Sequence, residues 1–112
     1  MASGGRHAID RGKRGEREVC ALVEDLLGYK CRRSQAGHPE DLGDVFGLPG
    51  TTLQVADWAE PIRAVRAKPI EAEAQRIANG HEWVATWIRL RGGDWRVVLT
   101  PRQWAHYWRE AT

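Results

Sequence analysis

The sequence predicts a mixed α/β domain, a small sheet with helices packed on it, in the order α-β-β-β-α-β-β-α. Three features carry that prediction. Val19, Leu22, Val23, Leu26 and Leu27 recur at helical spacing and form one apolar stripe. Between Tyr29 and Thr100, short strand-like runs alternate with turns built on glycine and proline. Thr100-Pro101-Arg102-Gln103 has the residues of a helix start: a threonine cap, proline in the first position and glutamine in the third. A chain of 112 residues has room for one folded core. Residues 1–112 therefore read as a single domain, with 1–11 as a basic, flexible arm.

The first helix is expected from Gly12 to Leu27, and Gly28 stands where a glycine ends a helix. Tyr29 to Arg33 reads as a short strand. Ser34 to Gly43 is rich in turn formers and reads as a loop. Asp44 to Phe46 is a second strand, Gly47 to Gly50 a turn and Thr51 to Asp57 a third strand, so the last two strands form a hairpin. Ile62 to Ala67 has room for one or two helical turns. Pro69 suits the first position of a separate helix that ends near Asn79, before Gly80, with Ile70, Ala74, Ile77 and Ala78 as its apolar face. Trp83 to Leu90 alternates as a strand, and Arg91-Gly92-Gly93-Asp94 turns it back into Trp95 to Thr100. The last helix would bury Trp104, Tyr107, Trp108 and Ala111.

Composition excludes several classes. No apolar run approaches the ~20 residues that a membrane span needs. The polar, basic opening from Met1 to Arg14 is not a secretory leader. Two cysteines, Cys20 and Cys31, make no disulfide framework and imply a reduced, cytoplasmic setting. The four histidines are scattered and no CxxC pair exists, which excludes the zinc-finger spacings. Phosphate-binding and dinucleotide-binding glycine loops are absent, so no nucleotide cofactor is expected. Net charge is only +2, yet Arg6, Arg11, Lys13, Arg14 and Arg17 crowd the opening segment against Asp10 and Glu16.

The carboxylates are placed more tellingly than their number. Glu16 lies three residues before Val19 and so at the start of the apolar stripe, a costly place for an unpartnered charge. Asp44 opens a strand after a glycine-bearing loop. On the next strand, alternation puts Leu53, Val55 and Asp57 on one face and Thr52, Gln54 and Ala56 on the other. Leu53 and Val55 belong to the core, which leaves Gln54 and Ala56 on the face brought beside Asp44. Oxygen donors arranged in this way suit a hard divalent cation, which can generate hydroxide from water and stabilise charge on a phosphoryl oxygen.

These residues resemble the PD-(D/E)XK nuclease superfamily, and within it the Holliday junction resolvases of archaeal and phage type. The likeness runs from Gly12-Lys13-Arg14-Gly15-Glu16-Arg17-Glu18-Val19, through Arg32-Arg33-Ser34, Ala36-Gly37, Gly43-Asp44-Val45 and Leu53-Gln54-Val55-Ala56, to Trp95-Arg96-Val97-Val98-Leu99-Thr100-Pro101. The resemblance implies a restriction-endonuclease-like fold, with a mixed central sheet flanked by helices. It implies that Glu16, Asp44, Gln54 and the Val55 carbonyl hold Mg²⁺ or Mn²⁺, with Ser34 in a loop near the scissile phosphate. It also implies a homodimer that cuts four-way DNA junctions at two symmetric positions.

Two positions depart from the family pattern. Gln54 stands where the family has Glu; its amide oxygen ligates but brings no charge. Ala56 stands at the family's catalytic lysine, which orients the attacking water and offsets charge, and alanine does neither. Loss of such a group commonly costs ~10²–10³ in rate. The chain is therefore expected to bind DNA and cut it poorly, and Ala56→Lys is expected to restore cutting. Lys68, beyond Pro61, is too distant along the chain to be assigned the missing role.

Arg6, Arg11, Lys13, Arg14, Arg17, Lys30, Arg32 and Arg33 precede Asp44 and are the candidate DNA contacts, which would make affinity strongly salt-dependent. Six tryptophans exceed what one small core readily buries, so part of them is expected at a dimer interface formed by the second half of the chain. Competing readings are a nuclease of the same fold acting on flaps, single strands or duplex, and a non-catalytic DNA-binding dimeric module. The size and the basic, tryptophan-rich style lean towards a phage protein acting in the cytoplasm of a bacterial host.

Overall fold

In the computed structural model, residues 2–33 and 44–112 are described, the first nine of them by backbone course alone. Three helices and five strands follow in the expected order: α1 (Ala2–Leu27), β1 (Arg32–Arg33), β2 (Val45–Phe46), β3 (Thr51–Ala56), α2 (Pro61–Asn79), β4 (Trp83–Arg89), β5 (Trp95–Val98) and α3 (Pro101–Ala111). The strands form one mixed sheet in the order β1-β2-β3-β4-β5. Only β3 and β4 run parallel, with Leu53 opposite Ala85 and Ala56 opposite Ile88; α2 makes the crossover between them.

The sheet is covered on both sides of β3, and all six of its residues are buried. Val19 and Val23 of α1 pack on Val45, Leu53, Val55 and Ala85. On the opposite face, Ala64 of α2 packs on Ala56 and Ile88, all three without exposed surface. Alternation thus separates the two faces of β3 as expected, but Gln54 and Ala56 lie under a helix. A strand buried on both faces is usual where a crossover helix covers a parallel pair.

Several boundaries differ from expectation. α1 begins at Ala2, ten residues before the expected Gly12, and so takes in the basic opening segment. Its stripe is buried at Val19 and Val23, while Leu26 and Leu27 run past the sheet and are exposed. Residues 61–79 form one helix with Pro69 inside it, not a turn followed by a second helix. Proline costs a helix one hydrogen bond, and here burial of Ala64, Pro69 and Ala72 on the sheet holds the two stretches as one. The expected apolar face of α2 is the solvent side: Ile70, Ala74, Ile77 and Ala78 are all exposed. In α3 the buried side is Gln103 with the partly buried His106 and Tyr107, while Trp104 and Trp108 are exposed.

The ends of the helices follow their expected chemistry. Gly80 takes a left-handed conformation, φ 68°, which only glycine adopts freely, and its N–H and that of His81 close the last turn of α2. Thr100 and Gln103 form a reciprocal capping box at the start of α3. Among the described residues, no helix is long and apolar enough to cross a membrane.

Candidate functional site

Glu16, Asp44 and Val55, three of the residues singled out in the sequence, come near one another where β2 starts. Because β2 begins only at Val45, opposite Leu53, the edge of β3 beyond that point is left to Asp44. Asp44 donates its backbone N–H to the Leu53 carbonyl, and its Oδ2 accepts the Val55 N–H at 2.8 Å. A strand residue turns its N–H and C=O to the same edge, so the Val55 carbonyl points to the Asp44 side.

Glu16 reaches this edge from α1. Burial pushes its carboxyl up to about 7, and the nearby charge of Asp44 adds to the rise, while Arg33 and Lys68 oppose it. Four elements thus bring charge to one place: α1 through Glu16, β1 through Arg33, the start of β2 through Asp44 and α2 through Lys68. The first three were marked in the sequence. Lys68 was set aside there as too distant along the chain, beyond Pro61, and α2, which packs on the sheet, carries it back.

Gln54 is buried and shares the α2 face of β3 with Ala56. Ser34 lies outside the described residues, and the side chain of Arg6 lies outside them as well. Lys13, Arg17, Lys30 and Arg32 are exposed, with Arg32 stacked 5.2 Å from the centre of the Phe46 ring. The Nε of Arg11 is buried without a hydrogen-bond partner. Arg14 is engaged by Asp57 and so has a structural duty that its place in the basic cluster did not reveal.

Glu18, from the same Glu-Arg-Glu run as Glu16, is spent differently. It accepts from the indole N–H of Trp95 at 3.0 Å and from Arg89 Nε at 3.3 Å, tying α1 to β4 and β5. One acidic residue of the run therefore anchors the helix and the other faces the strand edge.

The donors near the edge are all oxygen, the Glu16 and Asp44 carboxylates and the Val55 carbonyl, while the Gln54 amide lies on the face of β3 covered by α2. A Glu16 carboxyl raised by burial and by the charge of Asp44 would be relieved by a shared cation, and oxygen donors match Mg²⁺ or Mn²⁺. The residues therefore fit such an ion. A second group, not anticipated from the sequence, joins Glu82, His106 and Glu110, whose ligand atoms lie within 4.8 Å of one another. It is largely exposed, and His106 Nε2 lies 3.6 Å from Glu82 Oε1 there.

No protein-family model, curated protein or solved structure matches the chain. The class that fold and site define is accordingly a mixed α/β domain with two neighbouring carboxylates, Glu16 and Asp44, near one strand edge.

Proposed function

We propose that this protein is a metal-dependent, structure-selective DNA endonuclease of the junction-resolving type, acting as a homodimer on four-way junctions. One observation supports the reading above all. Glu16 and Asp44, 28 positions apart and on separate elements, are near enough for the charge of Asp44 to raise the Glu16 carboxyl, with Arg33 and Lys68 opposing the rise.

When bound, the metal ion would activate water and neutralise charge on the phosphate. Glu16 and Asp44 would hold it, with the Gln54 and Val55 oxygens completing the protein's share. The Val55 N–H fixes the orientation of Asp44 in advance. Ala56 brings no charge, so a slow reaction is expected unless another cation serves the phosphate.

The test is single-turnover cleavage of a four-way junction, a flap and a duplex with Mg²⁺, comparing the chain with Asp44→Asn and Glu16→Gln. Cleavage that both substitutions abolish supports the reading, and junction preference supports its finer part. Salt-sensitive DNA binding without metal-dependent cleavage of any substrate favours the non-catalytic module, whose supporting observation is the fully buried Ala56. Absence of salt-sensitive DNA binding rejects both.

A further inference from the structure

The start of β4 meets α3 at the far end of the β3–β4 pair from Val55. Glu82 stands just before Trp83, the first residue of β4, which lies opposite Thr51. Val55 lies opposite Trp87, four register steps further on, roughly 13 Å along the strands. His106 and Glu110 are one turn apart on α3, so helical spacing puts them on one face. Together the three side chains bring one imidazole nitrogen and two carboxylate oxygens within 4.8 Å of one another.

Hydrogen bonding does not satisfy this group. His106 Nε2 is shielded from solvent and has no hydrogen-bond partner. Glu82 Oε1 lies 3.6 Å from it, beyond the roughly 2.7–3.2 Å of a hydrogen bond. Two ligands at a tetrahedral angle, each held by a zinc ion, stand about 3.4 Å apart, close to that separation. The imidazole is held in place by ring packing: Trp83 lies 4.6 Å from it and 4.8 Å from Tyr107, whose hydroxyl donates to the Val84 carbonyl. The nitrogen donor is thus fixed, while the two exposed glutamates are free to close on an ion.

Charge points the same way. Among the described residues, neither Glu82 nor Glu110 forms an ion pair with a lysine or arginine. Arg76 lines the same cleft of about 290 Å³ but is already bound to Glu73. A neutral imidazole offsets neither carboxylate, whereas one divalent cation offsets both. The nitrogen selects the kind of cation: Mg²⁺ and Ca²⁺ take oxygen donors, while imidazole joined to carboxylates suits Zn²⁺.

We propose that Glu82, His106 and Glu110 form a Zn²⁺ site with three protein ligands and one water, fastening the end of α3 to the start of β4. The site is separate from the Glu16 and Asp44 edge, and it stands or falls independently of the nuclease reading.

Zn²⁺ affinity is measured by competition with a chromophoric chelator, on the chain without a histidine tag. Glu82→Gln, His106→Gln and Glu110→Gln are measured beside it, as are Asp44→Asn and the double variant Cys20→Ser with Cys31→Ser. Each of the first three should weaken one ion's binding at least ~10²-fold, since loss of a group that merely supports a ligand costs 10–100-fold. The other two variants should keep that ion. Zn²⁺ at about 100 times its Kd should raise the melting temperature of the chain by on the order of 10 °C, and leave the first three variants unmoved. Because Glu82 and Glu110 are exposed, their variants fold without metal, as melts in chelator verify. Co²⁺ in place of Zn²⁺ should give the visible spectrum of a four-coordinate ion, lost in His106→Gln. Absence of an ion bound with Kd below roughly 100 µM overturns the inference. So does binding that any one of the first three substitutions leaves undiminished, or that disappears in Asp44→Asn or the cysteine variant.

Discussion

Arg14 holds Asp57 with two parallel hydrogen bonds, Nε to Oδ2 at 2.9 Å and Nη2 to Oδ1 at 3.0 Å, and so clamps α1 to the end of β3. Asp57 is 6% exposed and Arg14 about half exposed, so the carboxylate is the partner that needs the pair. Arg14→Ala should destabilise the fold by about 1–3 kcal/mol, discounted from a fully buried pair because the guanidinium is open to water. Urea unfolding checks this. A stability loss of this size would also account for any weakening of DNA binding by the same variant.

Gly15 is required by close approach. A Cβ there would come 3.0 Å from Asp57 Cβ and 3.3 Å from both Trp95 Cη2 and Val55 Cγ1. Alanine is the better helix former by about 1 kcal/mol, yet Gly15→Ala should lower stability by about 1–3 kcal/mol because the helix must lift from the sheet. Thermal melts decide the sign, and a gain in melting temperature would show that the helix has slack at this point.

Glu16 gives the fold a pH dependence of definite sign. Its carboxyl is raised in the folded chain to about 7 from 4.5, so the folded state binds the proton more tightly than the unfolded state. Stability should therefore be unaffected by this group below about pH 4.5, fall as pH rises to about 7, and stay level above that. The half-exposed position reduces the effect to about 1–2 kcal/mol. Glu16→Gln should flatten this part of the profile and be the more stable chain at pH 8. Melting curves at pH 4.5 and pH 8 measure it.

Ala56→Lys should cost about 1–3 kcal/mol through overpacking against Ala64 and Ile88. Denaturant unfolding reads this cost directly. A neutral outcome would mean that the lysine side chain escapes towards the strand edge. Any gain in cleavage by this variant has to be compared at equal folded fraction.

The two sides of α3 predict opposite responses. Tyr107 donates its hydroxyl to the Val84 carbonyl at 2.9 Å, and Tyr107→Phe should lose about 1 kcal/mol of stability. Trp104 and Trp108 are more than half exposed, so replacing both with serine should change monomer stability by less than about 1 kcal/mol. If the homodimer forms through this surface, the double variant sediments as a monomer while the parent does not.

The order of elements was readable because each helix end and turn has local chemistry: Gly28, Gly80 and the Thr100–Gln103 box all act where they stand. The α2 face was not readable. Its buried residues are Ala64, Pro69 and Ala72, which lack the hydrophobic contrast that Ile70 and Ile77 show on the exposed side. The same holds for α3, where Gln103 is buried because its amide donates to the Pro69 carbonyl and to Glu73. Glu16 and Asp44 were legible from their positions on a stripe and at a strand start. The effect of Lys68 on Glu16 was not, because α2 brings the lysine back to the sheet only in the folded chain.

The contact between Ala56 and Ala64 also binds two positions into one unit of sequence variation. A bulky residue at either one demands that the helix stand further from the sheet, unless the other gives up volume. In divergent copies of this domain, positions 56 and 64 should therefore change size in opposite directions.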